Sequence, residues 1–450
     1  MIHWLTRRFK DFNTRPCLVY HDVTYTYGQL HDKVVKYQQL FYSRGISSGD
    51  TVTLLSDYSL NGVAALFALF ELNAIVAPVA ALSSEEGIQR REEARVDWEI
   101  DLRSRLSIEH FAKKGPNHPL IQRLARDSHP GLILFSSGST GRPKAMIHDA
   151  TRLLAPFEKK RPRKHRILIF LLFDHIGGLN TLFNSLASGS LIVIPKSRDT
   201  HAVATAIHKH RVNLLPASPT FLNLLLLSGI TEKADLRSLR FITYGTEPMP
   251  ESLLYRIKQA LPDVALIQTF GTSETGISQT VSRGSHSNFI KFEDPHTETR
   301  IVNGELWLRS SSQILGYLNH DMHRFTSDGW FKTGDLVEQS TDGYLRITGR
   351  REDLINVGGE KVTPSEVESI LLEIPEVADC VIYGEENAIT GQNVAAQVVA
   401  MPGHEHKTLK RLIKNHCRSK LSAYKVPARI TFTNKASFSD RFKKLRHPKD

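Results

Sequence analysis

The chain of 450 residues contains only three cysteines, Cys17, Cys380 and Cys417. They form no CxxC pair, and no histidine and cysteine cluster has the spacing of a zinc site. A disulfide framework and a structural zinc module are therefore not expected. Few, scattered cysteines and the lack of a signal peptide favour a reducing compartment, so we expect a cytoplasmic protein.

Long apolar runs are also missing from the sequence. The most apolar stretch, from Gly62 to Leu82, is interrupted by Glu71, Asn73 and Pro78. It predicts a buried helix followed by a buried strand, and we expect no membrane span. Low-complexity tracts and repeats of fixed period are absent as well. A hydrophobic content of 40% over this length is typical of a globular protein with two or three domains or subdomains.

Positive charge is in excess, with a formal net charge of +11. Much of the excess lies in two basic runs, residues 159–166 and residues 441–446. Each run is either a solvated segment or a surface that attracts polyanionic ligands. No nucleic-acid recognition motif accompanies them, so nucleic acid is not an expected partner.

Short apolar runs alternate with segments of helical periodicity up to about residue 300. Residues 61–72 and 203–210 are predicted helices, and residues 166–173, 191–194 and 265–269 are among the predicted strands. Runs without polar alternation indicate strands that are buried on both faces. The alternation of helices and strands predicts an α/β fold with a mostly parallel sheet.

The pattern changes after residue 300. Turns at Asn303-Gly304 and Asp342-Gly343 bound two predicted strands and favour antiparallel pairing in a small β subdomain. Helices and strands that follow Pro364 predict a small α+β domain. We therefore predict a large N-terminal domain of α/β sheets, residues 1–349, and a small C-terminal domain, residues 350–450.

The strongest chemical signal is the segment FSSGSTGRPKA, which follows the apolar run of residues 132–134. Glycines let backbone N–H groups approach phosphate oxygens, hydroxyls add donors, and a lysine adds a mobile positive charge. The spacing differs from the Walker pattern, so an ordinary P-loop NTPase is not predicted. A flexible linker is the alternative interpretation, but the preceding strand favours a binding loop. The candidate phosphate-binding residues are Ser136, Ser137, Gly138, Ser139, Thr140, Gly141 and Lys144.

The segment SSGSTGRPK resembles the signature loop of the adenylate-forming superfamily, which includes acyl-CoA synthetases, acyl-AMP ligases and stand-alone adenylation enzymes. The resemblance continues in order along almost the whole chain. It implies an enzyme that uses ATP and Mg²⁺ to join a carboxylic acid to AMP, and a C-terminal domain that is mobile. The acyl group would then pass to the thiol of coenzyme A or of a carrier protein's phosphopantetheine.

Two more segments of the large domain carry the resemblance. FGTSE at residues 270–274 resembles the YG-x-[ST]-E segment, in which Glu274 would help bind Mg²⁺ and so act in catalysis. YGTEP at residues 244–248 resembles the segment that contacts adenine. An ordinary turn is the alternative for each. The nucleotide-binding residues implied here are Tyr244, Gly245, Thr246, Phe270, Gly271, Thr272 and Ser273.

The resemblance continues through the end of the large domain and into the predicted C-terminal domain. In a TGD motif, Asp335 would accept hydrogen bonds from the ribose hydroxyls, and Arg350 would contact ribose or phosphate. Glu352 would be the hinge residue about which the C-terminal domain swings. Gly358 and Gly359 would line a pantetheine tunnel, or they meet only the needs of a tight turn.

The segment FDHIGG at residues 173–178 falls where the family places a residue of the acyl pocket. His175 would gate that pocket. Asp174 is ambiguous, because amino-acid-activating members hold the substrate ammonium with an aspartate near this place. A plain loop at the end of a strand is the alternative.

The sequence departs from the family near its C-terminus, where a lysine in a Ser-Gly-Lys segment usually stabilises the adenylation transition state. The matching segment here is Ser439-Asp440-Arg441. Either Arg441 replaces the lysine, or Lys443 or Lys444 takes its place, or adenylation is weakened. A planar guanidinium is not interchangeable with an ammonium group.

We therefore predict an acid–thiol ligase that forms an acyl-adenylate. An apolar or aryl acid is favoured because residues 214–227 are rich in leucine, although a helix core would have the same composition. The alternatives are an amino-acid adenylation enzyme that loads a carrier protein in trans, and a non-catalytic nucleotide-binding relative. The catalytic candidates are Lys144, His175, Glu274, Arg441 and Lys443.

Overall fold

The computed structural model describes residues 2–80, 84–112, 117–136 and 142–434, together with residues 438 and 444. Its helices are α1 (His3–Phe12), α2 (Tyr27–Ser43), α3 (Leu60–Glu71), α4 (Ser84–Ala94), α5 (Pro119–Asp127), α6 (Ala150–Glu158), α7 (Ile176–Ala187), α8 (Thr200–His210), α9 (Pro219–Leu227), α10 (Ile230–Lys233), α11 (Glu251–Ala260), α12 (Pro364–Leu371) and α13 (His406–Lys420). A 3₁₀ helix spans Ala423–Lys425. No helix of the described ranges is long and apolar enough to cross a membrane.

The strands are numbered in chain order. They are β1 (Pro16–Tyr20), β2 (Val23–Thr26), β3 (Thr51–Leu55), β4 (Ile75–Val79), β5 (Trp98–Asp101), β6 (Ser107–His110), β7 (Gly131–Ser136), β8 (Lys144–Asp149), β9 (Arg166–Leu168), β10 (Leu191–Val193), β11 (Leu214–Ala217), β12 (Phe241–Tyr244), β13 (Ala265–Gln268), β14 (Phe270–Thr272), β15 (Gly276–Ser278), β16 (Thr280–Ser282), β17 (Phe289–Phe292), β18 (Thr297–Val302), β19 (Glu305–Ser310), β20 (Gly316–Tyr317), β21 (Phe331–Gln339), β22 (Leu345–Arg350), β23 (Ile355–Val357), β24 (Glu360–Val362), β25 (Val377–Asn387), β26 (Gly391–Ala400) and β27 (Arg429–Phe432).

Two seven-stranded sheets form the large domain. The first has the order β13-β12-β11-β9-β10-β1-β2, and only β2 pairs antiparallel. The second has the order β20-β8-β7-β4-β3-β5-β6, with parallel pairing from β7 to β5. This pairing confirms the predicted α/β fold with a mostly parallel sheet. The sequence pattern indicated it because these runs of Val, Ile and Leu are buried on both faces.

The helix α3 lies in the core between the two sheets. Nine of its residues are buried, and they pack with side chains from β3, α7 and β10 in one hydrophobic cluster. Ser59 caps the helix by accepting a hydrogen bond from the Gly62 amide over 2.9 Å. The prediction of a buried helix followed by a buried strand in this stretch is therefore confirmed.

Antiparallel pairing dominates after residue 280. A six-stranded sheet has the order β16-β17-β22-β21-β19-β18, and all its pairs are antiparallel. A separate sheet holds β24-β23-β26-β25, with β27 beside β26, and α12 and α13 pack on it around their own hydrophobic core. The predicted β subdomain and small α+β domain are confirmed. The boundary between residues 349 and 350 stays a prediction; it falls at the end of β22.

One apolar stretch forms a shorter strand than predicted, and a second has the helix-core role that was the alternative to substrate binding. The predicted strand of residues 166–173 is shorter, since β9 ends at Leu168 and the chain then leaves the sheet toward α7. The leucine-rich stretch of residues 214–227 forms β11 and α9, and Phe221, Leu222 and Leu225 are buried in a core cluster. Its composition is therefore explained by packing, and it gives no support to an apolar substrate.

Candidate active site

The hairpin of β7 and β8 holds both ends of the candidate phosphate loop. Ser136 is the last residue of β7, Lys144 is the first of β8, and the two are direct partners in the antiparallel register. The hairpin thus fixes the lysine beside the end of the loop. Five predicted phosphate contacts lie outside the described residues, namely those of Ser137, Gly138, Ser139, Thr140 and Gly141.

The segment of residues 270–274 forms a tight hairpin from β14 to β15. The Thr272 hydroxyl accepts a hydrogen bond from the Thr275 amide over 3.1 Å. A Cβ atom added to Gly271 would lie 2.5 Å from the Gly276 carbonyl oxygen, so only glycine fits there. These contacts fix the backbone that carries Glu274.

The Glu274 carboxylate is half-buried and only partly engaged. Its Oε1 accepts a hydrogen bond from the Tyr317 hydroxyl over 3.2 Å. Within the part of the chain that the structure describes, Oε2 has no hydrogen-bond partner. Proximity to this carboxylate and burial both raise the pKa of Tyr317, with burial the larger cause. A carboxylate with one unused oxygen is the ligand type that Mg²⁺ prefers.

The candidate adenine segment is in backbone contact with the segment that leads to Glu274. The Thr269 amide donates to the Tyr244 carbonyl over 2.7 Å, and a Cβ on Gly245 would lie 2.6 Å from the Thr269 carbonyl oxygen. The Tyr244 side chain is 2% exposed and belongs to the core. The parts of this segment that can reach a base are therefore the backbone of Gly245 and the residue Thr246, whose φ is 75°.

Asp335 and Arg350 form an ion pair across two strands. They are direct partners in β21 and β22, and Arg350 Nε donates to Asp335 Oδ1 over 3.2 Å. Burial disfavours the charged guanidinium, but Asp335, Glu352 and Asp353 outweigh it and raise the pKa of Arg350. The predicted ribose-binding residues are therefore held together by backbone pairing and by charge.

The predicted hinge and glycine pair lie on exposed turns. Glu352 follows β22 in a turn, and its carboxylate lies 3.7 Å from Arg324 Nη2. Gly358 and Gly359 have φ angles of 60° and 95° in the turn between β23 and β24. A Cβ on Gly359 would meet no atom within 4 Å, so lack of space does not require glycine there. The positive φ angles of the turn are the reason for glycine. Their pantetheine contact stays a prediction.

His175 caps a helix in the structure. Its Nδ1 accepts a hydrogen bond from the Gly177 amide over 3.3 Å at the start of α7. The neighbouring Asp174 is 8% exposed and pairs with Arg90, whose Nη1 lies 3.4 Å from Oδ2. Arg90 also lies over the Phe135 ring, 5.3 Å from its centroid. The Oδ2 atom of Asp174 is therefore paired with a side chain of the protein, whereas its buried Oδ1 has no hydrogen-bond partner among the described residues.

Arg441 and Lys443, the predicted substitutes for the C-terminal lysine, lie outside the described residues. Lys444 is described, and its side chain is 13% exposed. Its Nζ pairs with Asp379 Oδ1 over 2.9 Å and donates to the Cys380 carbonyl over 2.8 Å. Its backbone amide donates to Glu247 Oε2 over 3.3 Å. Lys444 thus borders a small cavity of about 30 Å³ between the large domain and the C-terminal domain.

Two family models match most of the chain. The model for AMP-binding enzymes matches residues 5–318, and the model for the C-terminal domain of AMP-binding enzymes matches residues 366–438. The chain belongs to the AMP-binding enzyme family. The predicted membership of the adenylate-forming superfamily is therefore confirmed, and so is the prediction of an acyl-adenylate-forming ligase.

Several relatives of this AMP-binding enzyme are CoA ligases. A 2-succinylbenzoate–CoA ligase of Bacillus licheniformis is 28% identical, over 99% of this chain and 98% of its own. A 4-coumarate–CoA ligase-like protein of Arabidopsis thaliana is 27% identical, over 91% and 81% of the two chains. An indoleacetate–CoA ligase of Aromatoleum aromaticum is 30% identical, over 67% of this chain and 63% of its own.

Solved structures of the same architecture cover almost the whole chain. An anthranilate CoA ligase in complex with anthranoyl-AMP superposes with a TM-score of 0.83 at 21% identity, over 99% of this chain and 95% of the other. The o-succinylbenzoate CoA synthetase of Bacillus subtilis, in complex with its acyl-adenylate, has a TM-score of 0.76 at 24% identity, over 98% and 96%. At these identities the likeness shows the fold.

A segment that no sequence motif indicated connects the parts of this AMP-binding enzyme's candidate site. We call residues 314–324 the bridging segment. Asn319 accepts from the Ala145 amide and donates to the Pro143 carbonyl, beside Lys144. Tyr317 of the same segment donates to Glu274. Its last residue, Arg324, donates to the Thr333 carbonyl over 2.6 Å, next to the strand pair of Asp335 and Arg350.

His148 is a second residue that the sequence did not reveal. It lies on β8, is fully buried, and neither ring nitrogen has a hydrogen-bond partner among the described residues. Burial lowers the pKa of His148 to about 4, against the opposing effect of the nearby Ser312 and Ser273 backbone. A neutral imidazole therefore lies behind the loop of residues 270–274. A lone histidine in an apolar strand gives no sequence signal for such a role.

Proposed function

We propose that this chain is an ATP-dependent acid–CoA ligase that acts through an acyl-adenylate. The observation that carries the proposal is the connection of three polar groups by the bridging segment. They are Lys144 at the end of the phosphate hairpin, Glu274, whose Oε2 has no hydrogen-bond partner among the described residues, and the pair of Asp335 and Arg350. Family membership supplies the AMP-binding context for these groups.

Each group has a chemical role in the proposed reaction. The substrate carboxylate attacks the α-phosphorus of ATP, the bond to the β-phosphate oxygen breaks, and pyrophosphate leaves. Lys144 and the hydroxyls of its loop hold the phosphates, and Asp335 accepts hydrogen bonds from the ribose. Glu274 fits a Mg²⁺ ion, which supplies positive charge beside the phosphates when it is bound. The work of the protein is mainly positioning and charge stabilisation.

The second half of the proposed reaction transfers the acyl group to a thiol. The sulfur attacks the acyl carbon, and AMP leaves with the shared electron pair of the broken C–O bond. We favour coenzyme A over a carrier protein because the relatives named above are CoA ligases. Arg441 or Lys443 would stabilise the adenylation step, and Gly358 and Gly359 would face the pantetheine arm.

The proposed substrate is a carboxylic acid without an α-ammonium group. Asp174, the residue that could hold such a group, is buried and paired with Arg90. A substrate ammonium that displaced Arg90 would leave this guanidinium, which is 15% exposed, without its partner, at a cost of about 3–5 kcal/mol. Since 2-succinylbenzoate, 4-coumarate and indoleacetate in the relatives' names all carry an aromatic ring, we propose an aryl-bearing acid. The role of His175 as a gate of this pocket remains part of the proposal.

ATP–pyrophosphate exchange across a panel of acids tests the first step. The panel contains aryl-bearing acids, straight-chain fatty acids and amino acids, and hydroxylamine traps the acyl-adenylate. We expect exchange with an aryl-bearing acid and none with amino acids. Exchange that is fastest with an amino acid would contradict the role assigned to the pair of Asp174 and Arg90.

The acceptor is tested with the acid that gives exchange. Coenzyme A and a phosphopantetheinylated carrier protein are offered separately, and thioester formation is measured for each.

Glu274→Gln should slow adenylation by at least about 100-fold because it removes a charge from the reacting phosphates. The matched control is Glu338→Gln, which changes an exposed carboxylate that pairs with Arg346. Absence of exchange with every acid, with ATP binding retained, would favour a non-catalytic relative.

A further inference from the structure

A group of three metal-ligating side chains lies in the bridging segment, outside the residues assigned to the proposed reaction. His320, Asp321 and His323 each offer one ligand atom, and these atoms lie within 4.8 Å of one another. Their spacing, His-Asp-x-His, occurs in a turn region and not on a helix. Three nitrogen and oxygen ligands on a short loop can close around one ion without a change of secondary structure.

Both histidine side chains lie against the carboxylate of Asp321. His320 Nδ1 lies 3.6 Å from Asp321 Oδ1, and His323 Nδ1 makes a close contact with the same oxygen. The His323 amide donates to Asp321 Oδ1 over 3.0 Å, which holds the carboxylate in place. The two imidazole rings are neighbours, with centroids 5.6 Å apart. The carboxylate oxygen thus lies between two imidazoles.

No other charge competes for this carboxylate in the described ranges of the chain. The ion-pair partners of Asp321 there are the two histidines, and no lysine or arginine pairs with it. Its side chain is 71% exposed and that of His323 is 62% exposed, so an ion from solvent can reach both.

We propose that His320, Asp321 and His323 form a binding site for one divalent transition-metal ion of the zinc class. Two imidazoles and one carboxylate suit Zn²⁺, with water in the fourth position. The same set is poor for Mg²⁺, which prefers oxygen ligands in octahedral geometry. The site is distinct from Glu274 and does not depend on the proposed ligase reaction.

Such an ion would tie down the segment that connects the candidate active site. Tyr317, three residues before the triad, contacts Glu274. Arg324, one residue after it, contacts the Thr333 carbonyl and lies 3.7 Å from Glu352. An ion that fixes residues 320–323 therefore restrains both neighbours, and it should stabilise the folded chain.

Zinc binding to the full chain tests this assignment directly. The protein, free of any affinity tag and dialysed against a chelator, is titrated with Zn²⁺ and with Mg²⁺ in an isothermal calorimeter. We expect one tight equivalent of Zn²⁺, no matching signal from Mg²⁺, and a rise in melting temperature with Zn²⁺. Removing one ligand should weaken binding by more than the roughly 10- to 100-fold cost of losing a residue that only supports a ligand.

Two variants and one control make the result specific. His323→Ala and Asp321→Asn should each abolish the tight equivalent and the shift in melting temperature. His404→Ala, at an exposed histidine elsewhere, should leave both unchanged. Both ligand variants change exposed side chains, so loss of the fold is not expected, and circular dichroism checks it. The assignment is overturned if wild type binds no Zn²⁺ tightly or if the two ligand variants bind it as wild type does.

Discussion

Replacing Asp335 by asparagine removes one charge from the ribose-binding pair while keeping the size of the side chain. Asp335 is 6% exposed, and Arg350 Nε lies 3.2 Å from its carboxylate. A buried ion pair that loses one partner costs about 3–5 kcal/mol, and an exposed pair about 0–1 kcal/mol. The Arg350 side chain is 38% exposed, so water solvates part of its charge. We therefore expect Asp335→Asn to lower the free energy of unfolding by about 1–3 kcal/mol.

The same change should weaken the use of ATP. Hydrogen bonds to a charged group contribute about 1.5–3 kcal/mol, and asparagine accepts with one oxygen in place of two. That loss corresponds to a decrease of about 10- to 100-fold in kcat/KM for ATP. The KM for the acid should change little, because Asp335 is assigned to the ribose and not to the acyl group.

Urea unfolding and pyrophosphate exchange at varied ATP concentration measure the two effects. Glu338→Gln is the matched control, since it lies on the same strand but pairs with Arg346 at the surface, with 56% of its side chain exposed. It should lose at most about 1 kcal/mol of stability and keep its ATP kinetics. Wild-type kinetics for ATP in Asp335→Asn would refute the assignment of this residue to the ribose.

Three further predictions concern groups that hold the site. Because burial lowers the pKa of His148 to about 4, the free energy of unfolding should fall by about 3 kcal/mol in all as the pH falls from 6.5 to 4. His148→Gln should lack this contribution to the pH dependence, which urea unfolding at pH 7 and pH 5 measures. Gly245→Ala places a Cβ atom 2.6 Å from a carbonyl oxygen and should cost about 1–3 kcal/mol and slow pyrophosphate exchange, whereas Gly284→Ala, with open space around it, should do neither. Lys444→Met leaves Asp379 buried and without its ion-pair partner, so we expect a loss of about 3–5 kcal/mol in unfolding experiments, much of it recovered when Asp379→Asn is added.

The sign of the His148 effect follows from which state binds the proton. The unfolded chain takes up a proton near the ordinary histidine pKa, whereas the folded chain resists protonation until about pH 4. The contribution of His148 to stability is therefore fully present above pH 6.5. It declines between pH 6.5 and pH 4, and it changes no further below pH 4. A flat stability from pH 7 to pH 5, identical in His148→Gln, would contradict the burial of a neutral imidazole.

Local patterns predicted some of the helices and strands close to their observed positions. Residues 203–210 and 191–194, for example, correspond to α8 (Thr200–His210) and β10 (Leu191–Val193). Periodicity and turn residues are local, so they can be read from one sequence. The strand of residues 166–173 was overextended because an apolar run does not reveal where the chain leaves a sheet. That end is set by the start of α7, where His175 caps the helix.

Only part of the candidate site could be predicted, and its signal was composition and not periodicity. Its glycine and hydroxyl segments have unusual composition because backbone must come close to another group, as at Gly245 and Gly271. Tyr317 and Arg324 of the bridging segment have ordinary composition, and their importance depends on contacts with residues far away along the chain. Sequence alone could not reveal those contacts. His148 was missed for the same reason, since only the fold puts it behind residues 270–274.

The structure reduces the number of residues that can take the place of the family's C-terminal lysine. The Lys444 side chain pairs with Asp379 and Cys380, which lie on β25 of its own domain, while its backbone amide contacts Glu247 of the large domain. In the swing of the C-terminal domain about Glu352 that the family resemblance implies, the ammonium would travel with Asp379, and the contact with Glu247 would break. A lysine whose charge is compensated in this way cannot also face the reacting phosphates without leaving a buried carboxylate unpaired. Of the three residues considered for the place of the family's lysine, Arg441 and Lys443 are therefore the better candidates for the adenylation step.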